Sequence, residues 1–295
     1  MAIPPPRMIA VDIDGTLIAS GGMIGPRTMN ALRAAAESGV EIVIATGRRH
    51  SFAMPMVAPL RLRSTDVMIT SNGSVVRTVG GKLLEQTLMP AETAREICRE
   101  LSDFTGSLVF TFDVEGRGSL VIESTETLGR VIGRWIQVNL DAIETVNPLI
   151  NAFASGACPI QGMLAGSMER MHAARLRLEA ENSALSKQIT IHRTEYLERN
   201  LSIVDLLPVG CSKGVALERL AGLSGIPREE VMAIGDNWND VDMLNWAGQP
   251  VIMANASHEL KEIAAARGWR VTASNEQDGV GLAVEVALNG VLEFS

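Results

Sequence analysis

The chain is poor in cysteine. Cys98, Cys158 and Cys211 are its only three, far apart and odd in number. That argues against a disulfide frame and, with no CxxC or Cys/His cluster, against a zinc site. Small buried thiols in a reducing compartment are the expectation. Long hydrophobic runs are also missing, and none approaches the ~18 residues that a membrane span needs. The lead-in Met1-Ala2-Ile3-Pro4-Pro5-Pro6-Arg7 lacks a signal peptide's apolar core. A cytoplasmic protein with no membrane partner is expected. Positive charge is scarce: 26 Lys and Arg stand against 34 Asp and Glu, a net charge of −8. A nucleic acid is therefore not the expected partner. No heptad stretch of coiled-coil length appears, and the oligomeric state is not readable.

What is present is ordinary for a soluble globular protein, with 46% hydrophobic and 20% charged residues. At 295 residues the chain makes one large domain or two smaller ones. Its acidic balance would repel an anionic substrate unless a metal and local basic groups compensate. Isolated cations are therefore the residues to look for.

The most informative stretch is Val11-Asp12-Ile13-Asp14-Gly15-Thr16-Leu17. Met8 to Val11 is apolar and ends in two carboxylates, so it reads as a buried strand delivering acids to a crevice. Open α/β sheets hold ligands at such strand ends. In an extended segment Asp12 and Asp14 point to the same side, unless the chain turns at Asp14. Gly15 allows a bend, and Thr16 can hydrogen-bond or cap it. Two acids this close resist joint ionisation unless a cation such as Mg²⁺ shares the site. One carboxylate can then attack phosphorus while the other shuttles a proton. The alternative is a plain Asp-Gly turn with Asp14 solvated.

Thr28 to Ser38 reads as a helix and Val40 to Ala45 as a second strand. This βαβ unit makes the two strands parallel, which brings Thr46-Gly47-Arg48 near the acids. Thr46 and Gly47 offer donors for a phosphate, and Arg48 a cation for a substrate anion; a plain turn is the other reading. Val67 to Thr70 is a third strand. It ends at Asn72-Gly73, either a substrate contact or a hairpin turn into Ser74-Val75-Val76. His50 reads as a surface histidine.

The texture changes at about Gly81. Strands at 82–86, 107–114, 119–123, 160–165 and 188–193, with helices at 90–104, 126–139 and 167–180, suggest an inserted α+β domain with helices on one side. Asp141 to Cys158 is unassigned. The expected division is 1–80 with 195–295 as the core and 81–194 as the insertion. Ser212-Lys213-Gly214 then opens a helix. A lysine there opposes the macrodipole and makes sense with an anion between them; a solvated lysine is the alternative. Val231 to Asp236 repeats the first strand's logic, so Asp236 can supply another carboxylate to Mg²⁺. Asn237-Trp238-Asn239-Asp240 follows, with Asp240 either a helix cap or a group near the ion. Further strands at 249–253 and 269–272 alternate with helices at 257–266 and 281–288. The fold class is α/β, a Rossmann-like parallel sheet with helices on both faces plus the inserted domain.

Taken in order, Asp12-Ile13-Asp14-Gly15-Thr16, Ala45-Thr46-Gly47-Arg48, Ser212-Lys213-Gly214 and Gly235-Asp236-Asn237-Trp238-Asn239-Asp240 resemble the four motifs of the haloacid dehalogenase-like phosphatases. About 164 residues separate Arg48 from Lys213, so the insertion falls between the second and third motifs. With Asn72-Gly73 this is similar to the Cof-type branch, whose sugar phosphatases carry a larger α/β cap. The resemblance implies a Mg²⁺-dependent phosphomonoester hydrolase. Asp12 would form an aspartyl-phosphate, and Asp14 would protonate the leaving alcohol and then activate water. Thr46, Gly47 and Lys213 would hold the phosphoryl group. Arg48, Asn72 and Asn239 would contact substrate. Mg²⁺ would sit on Asp12, the Asp14 carbonyl and Asp236, and the cap would close over the site and read the leaving group. The family's ATPase branch has Thr at the second acid, so Asp14 favours hydrolysis.

The substrate class is a small phosphorylated metabolite. The cap's few aromatics (Phe104, Phe110, Phe112, Trp135, Phe153, Tyr196) offer no evident stacking platform. A sugar or polyol phosphate is thus favoured over a flavin or nucleotide. A glycosyl-phosphoglycerate meeting Arg48 or Arg49 is the alternative. A phosphomutase is disfavoured, since that branch places its cap between the first two motifs. A non-catalytic Mg²⁺-binding module would not need the acid at Asp14.

Overall fold

The computed structural model describes residues 4–181 and 183–289. Met1, Ala2 and Ile3 of the proline-rich lead-in lie outside the described residues. The chain divides into two compact units, one up to Glu85 and again from Ser212, the other from Gln86 to Cys211. In chain order the first unit begins with β1 (Met8–Val11), α1 (Pro26–Glu37), β2 (Glu41–Ala45), α2 (His50–Val57), β3 (Val67–Thr70), β4 (Val75–Thr78) and β5 (Leu83–Gln86). The second unit carries α3 (Ala91–Glu100), β6 (Leu108–Thr111), β7 (Leu120–Ile122), α4 (Thr125–Val138), β8 (Ile143–Thr145), β9 (Gln161–Gly166), α5 (Met168–Glu179), β10 (Ile189–Tyr196) and β11 (Leu201–Pro208). The first unit resumes with α6 (Lys213–Leu223), β12 (Val231–Gly235), α7 (Val241–Trp246), β13 (Gln249–Ile252), α8 (His258–Arg267), β14 (Arg270–Val271) and α9 (Gly279–Asn289).

The first unit is built on a sheet of order β14-β13-β12-β1-β2-β3-β4-β5. It is parallel from β14 to β3, and β4 returns antiparallel to β3. β1 and β12 are apolar at every position, and β2 at every position after Glu41, because both faces are covered. Ile9 and Val11 of β1 share one core with Leu32 of α1, Ala53 of α2 and Val284 of α9. Met8 and Ala10 point the other way, into a core with Leu217 of α6, Met243 of α7 and Leu260 of α8. This parallel, doubly covered sheet is the α/β architecture expected from the alternating strands and helices. Strand order reverses about β1, so the C-terminal ends of β1, β2 and β12 form the crevice where such sheets hold ligands.

The second unit has its own sheet, of order β10-β11-β9-β6-β7-β8. Here three expectations are corrected. The insertion does not begin at 81, because β5, expected within it, lies beside β4 in the sheet of the first unit. The insertion does not end at 194, because β11 pairs along its whole length with β10 and also with β9. Eight ladder positions hold residues 201–208 in this unit. Nor do the helices lie on one side. Leu108 and Phe110 of β6 pack with Ile97 of α3 and Leu178 of α5. Val109 points to the opposite face, where it meets Leu128 and Ile136 of α4. The unassigned stretch 141–158 holds only the three-residue β8 and short 3₁₀ turns, too brief to leave a periodic signal. Among the described residues no helix is long and apolar enough to cross a membrane.

Candidate active site

Asp12 directly follows β1, and its N–H continues the ladder to the Ile234 carbonyl at 3.1 Å. Its carboxylate is buried. Lys213, at the first turn of α6, is completely buried and donates to Asp12 Oδ1 at 2.6 Å and to Asp240 Oδ1 at 2.7 Å. The reading of Lys213 as a solvated lysine is thereby excluded. Ser212 caps α6 by accepting from the Val215 N–H at 3.1 Å, which fixes where the lysine leaves the helix. The other Asp240 oxygen accepts from the backbone N–H groups of Asp236 and Asn237, at 3.0 and 3.1 Å. Asp240 is therefore both a cap of the loop after β12 and the second anchor of Lys213.

Asp236 follows β12 and is buried. Thr16 donates its hydroxyl to Asp236 Oδ1 at 2.7 Å. Gly15 runs against the same carboxylate with φ +81°, and a Cβ there would lie 2.3 Å from Asp236 Oδ2. Only glycine permits both that backbone turn and that approach.

The chain turns after Asp12, so the two acids of the first loop part company. Asp14 is about one-third exposed, and Arg48 holds its carboxylate from two sides: Nε to Oδ2 at 2.7 Å and a terminal nitrogen to Oδ1 at 2.5 Å. Arg48 was expected to face a substrate anion; the structure pairs it with the second acid. Its guanidinium also lies 4.9 Å from the Phe52 ring centroid. The Thr46 hydroxyl accepts from the Arg48 N–H at 3.1 Å, closing the loop after β2.

Asn72 forms the expected turn, and the turn also brings its side chain to the loop after β2. It sits in the turn joining β3 to β4, and its N–H donates to the Thr46 carbonyl at 3.0 Å. Its side chain lies against Gly47 and accepts at Oδ1 from Asn239 Nδ2 at 3.1 Å. Asn72 Nδ2 is buried with no hydrogen-bond partner. Ser71 and Asn72 both adopt left-handed backbone, φ +49° and +51°, a conformation that costs free energy in residues other than glycine. His50 is half-buried, its Nε2 3.1 Å from the Thr78 carbonyl oxygen.

The structure thus gathers Asp12, Lys213, Asp236 and Asp240 into one buried group, pairs Asp14 with Arg48, and sets Thr46, Gly47, Asn72 and Asn239 together. One residue was missed. Asn255, in the loop after β13, donates to the Gly15 carbonyl at 2.8 Å and lies 3.5 Å from Asp236 Oδ2. The strand-end rule that found Asp12 and Asp236 would have found it, had it been applied to the next strand.

Electrostatics mark the group as unusual. Burial, then Asp240, pushes the Asp12 carboxyl well above the usual range, with Lys213 pulling the other way. Asp236 is pushed up to about 8, by burial first and Asp240 second, against the Thr16 hydrogen bond and Lys213. Burial alone would lower Lys213, but Asp12 and Asp240 outweigh it and raise its pKa. Carboxylate oxygens of Asp12, Asp236 and Asp240 all lie within 4.8 Å of one another. Three carboxylates and one ammonium leave excess negative charge in a buried, all-oxygen site. That donor set fits a small hard dication. Asp240 is committed to the Lys213 ammonium and to two backbone N–H groups, so Asp12 and Asp236 are the carboxylates that suit such an ion.

Residues 9–284 match the model of the haloacid dehalogenase-like hydrolases. Phosphatase YwpJ of Bacillus subtilis is 31% identical over 93% of this chain and 97% of its own. A second relative from that organism, 5-amino-6-(5-phospho-D-ribitylamino)uracil phosphatase YwtE, is 28% identical over 96% and 99%. The structure of a haloacid dehalogenase-like hydrolase from B. subtilis superposes with a TM-score of 0.76 at 26% identity, covering 95% of this chain and 99% of that one. The chain belongs to the haloacid dehalogenase-like hydrolases, and it is an enzyme of that family's phosphatase type.

Proposed function

We propose that the protein is a Mg²⁺-dependent phosphomonoester hydrolase that works through an aspartyl-phosphate on Asp12. The observation that carries this reading is the buried contact of Asp12 with Lys213, beside Asp236, at the crevice of a parallel sheet. In the first half-reaction a carboxylate oxygen of Asp12 attacks phosphorus, the ester P–O bond breaks, and Asp14 gives its proton to the departing alcohol. In the second, Asp14 takes a proton from water, whose oxygen attacks phosphorus, and inorganic phosphate leaves Asp12 free. Lys213 and the Thr46–Gly47 loop hold the phosphoryl oxygens, and Asn239 completes the set. Most of the rate enhancement in such chemistry comes from charges placed beforehand. Asp12, the Asp14 backbone carbonyl and Asp236 would hold Mg²⁺, which when bound neutralises phosphoryl charge. Arg48 orients Asp14 in the present arrangement.

The preferred substrate class is a small sugar or polyol phosphate. Phe110 and Phe153 of the second unit stack edge-to-face, centroids 4.7 Å apart, inside their own core. They are spent on packing and not offered to a planar ligand. The substrate in the name of YwtE also carries its phosphate on a ribityl chain. Metabolism inside the cell fits the thiol content.

The test is hydrolysis of p-nitrophenyl phosphate with Mg²⁺ and with EDTA, wild type beside Asp12→Asn. Activity that needs Mg²⁺ and falls by roughly 10³-fold or more in the variant supports the reading. Full activity in Asp12→Asn overturns the nucleophile. A panel of phosphorylated sugars, polyols and glycosyl-phosphoglycerates, scored by phosphate release, then tests the substrate class.

A further inference from the structure

We propose that Asn255 is a positioning residue that sets the Mg²⁺ affinity of the site by holding Asp236 and the loop after Asp12 in one arrangement. The inference rests on the reading of Asp236 as a metal carboxylate.

The side chain of Asn255 is used at both ends. Its Nδ2 donates to the Gly15 carbonyl at 2.8 Å and makes a long contact of 3.5 Å to Asp236 Oδ2. Its Oδ1 accepts from the Asn275 N–H at 3.1 Å. One amide therefore spans the loops after β1, β12 and β13 and the segment before α9. The fixed end is well anchored. Asn275 Nδ2 donates to the Ile18 carbonyl at 3.0 Å, and the Ser20 N–H donates to Glu276. Asp278 accepts from the Thr28 N–H at 3.0 Å, at the start of α1. The segment 274–278 thus holds the chain that follows the loop carrying Asp14, Gly15 and Thr16.

The consequence concerns Asp236. Thr16 addresses its Oδ1 and Asn255 its Oδ2, and both donors belong to this hydrogen-bonded assembly. A carboxylate held from both oxygens has one orientation. The Gly15 carbonyl, one peptide beyond the Asp14 carbonyl, is fixed by the same amide. Outer hydrogen bonds of this kind orient ligands, and their loss typically weakens metal affinity ~10-fold or more. Asn255 is exposed and packs in neither core of the first unit, so its hydrogen bonds, not its burial, are what a substitution removes.

The experiment is calorimetric titration of Mg²⁺ into the metal-stripped, full-length protein without substrate. Wild type is compared with Asn255→Ala and Asn255→Ser, and each is melted in EDTA. The expected result is a Kd for Mg²⁺ raised about 10-fold in both variants, with melting temperatures in EDTA within a few degrees of wild type. Asn275→Ala, which removes the bond to Ile18, gives a smaller rise in the same direction. Phosphatase activity of the Asn255 variants recovers most of its loss at saturating Mg²⁺. An unchanged Kd overturns the proposal, and an unchanged Kd with a lowered melting temperature assigns Asn255 to loop stability alone. A wild-type protein that binds no Mg²⁺ overturns the metal reading of Asp236 itself, an outcome distinct from equal binding by all variants.

Discussion

Lys213 holds an ammonium with no exposure at all between two carboxylates. A buried ion group of this kind is weak evidence for stability, yet removing one member leaves uncompensated charge. Lys213→Met should destabilise the protein by about 3 kcal/mol or more at pH 7, because Asp12 and Asp240 then face each other unpaired. The loss should shrink at pH 5, where a carboxylate can take up a proton; urea denaturation at both values checks this. Asp236 makes a second prediction. Its folded-state pKa is raised to about 8 against an ordinary value of 3.8. The folded protein then binds an extra proton at this group between those values, so the contribution of Asp236 to stability in EDTA is full below about pH 4 and is lost as pH rises toward 8. Asp236→Asn should flatten that slope in melts between pH 5 and 9. Mg²⁺ should raise the melting temperature of wild type most at the alkaline end, since it binds the ionised form. These residues were legible in sequence because each is polar and directly ends an apolar strand or opens a helix. The partner of Asp14 was not. Nothing in a spacing says that a guanidinium expected to meet substrate turns instead to the neighbouring acid, a choice made by the turn after Asp12.

At the level of elements, the turn 71–73 joins three parts of the site. Its backbone N–H groups bind the carbonyls of Arg48 and Thr46, and its side chain meets Asn239. Gly73, at φ +96°, passes so close to α6 that a Cβ would lie 2.2 Å from the Ser212 carbonyl oxygen. Gly73→Ala should therefore push the start of α6, and Lys213 with it, off Asp12. The expected cost is roughly 1–3 kcal/mol from strain and overpacking. Phosphatase activity should fall more than stability, measured on protein still folded at 25 °C. A variant equal to wild type in both would show that α6 is not tied to this turn. The Asn-Gly signal announced a hairpin, and β3 and β4 do form one. That the same turn reaches α6 and Asn239 follows from packing between segments far apart in sequence, which no local pattern encodes. The same limit explains the fate of β11. Its apolar run reads equally well as a strand of either sheet, and only the ladder with β10 and β9 assigns it.

For the molecule as a whole, the expected division into a sheet-based unit and an insertion can be examined as a question of independent stability. The stretch from Gln86 to Cys211 owns a six-stranded sheet whose strand pairs all lie within it. It also owns a core on each face of that sheet, one under α3 and α5 and one under α4. A segment with its own covered sheet meets the physical conditions for folding alone. A fragment of residues 86–211 should therefore be soluble and unfold in one cooperative thermal transition, read by circular dichroism. It holds none of Asp12, Lys213 and Asp236, so Mg²⁺ should leave its melting temperature unchanged while raising that of the full chain. A fragment that melts without cooperativity would show that the insertion borrows stability from the first unit, and that the two are one folding unit. An insertion that folds alone can change its sequence without cost to the stability of the sheet that carries Asp12 and Asp236, so the two units are free to diverge separately.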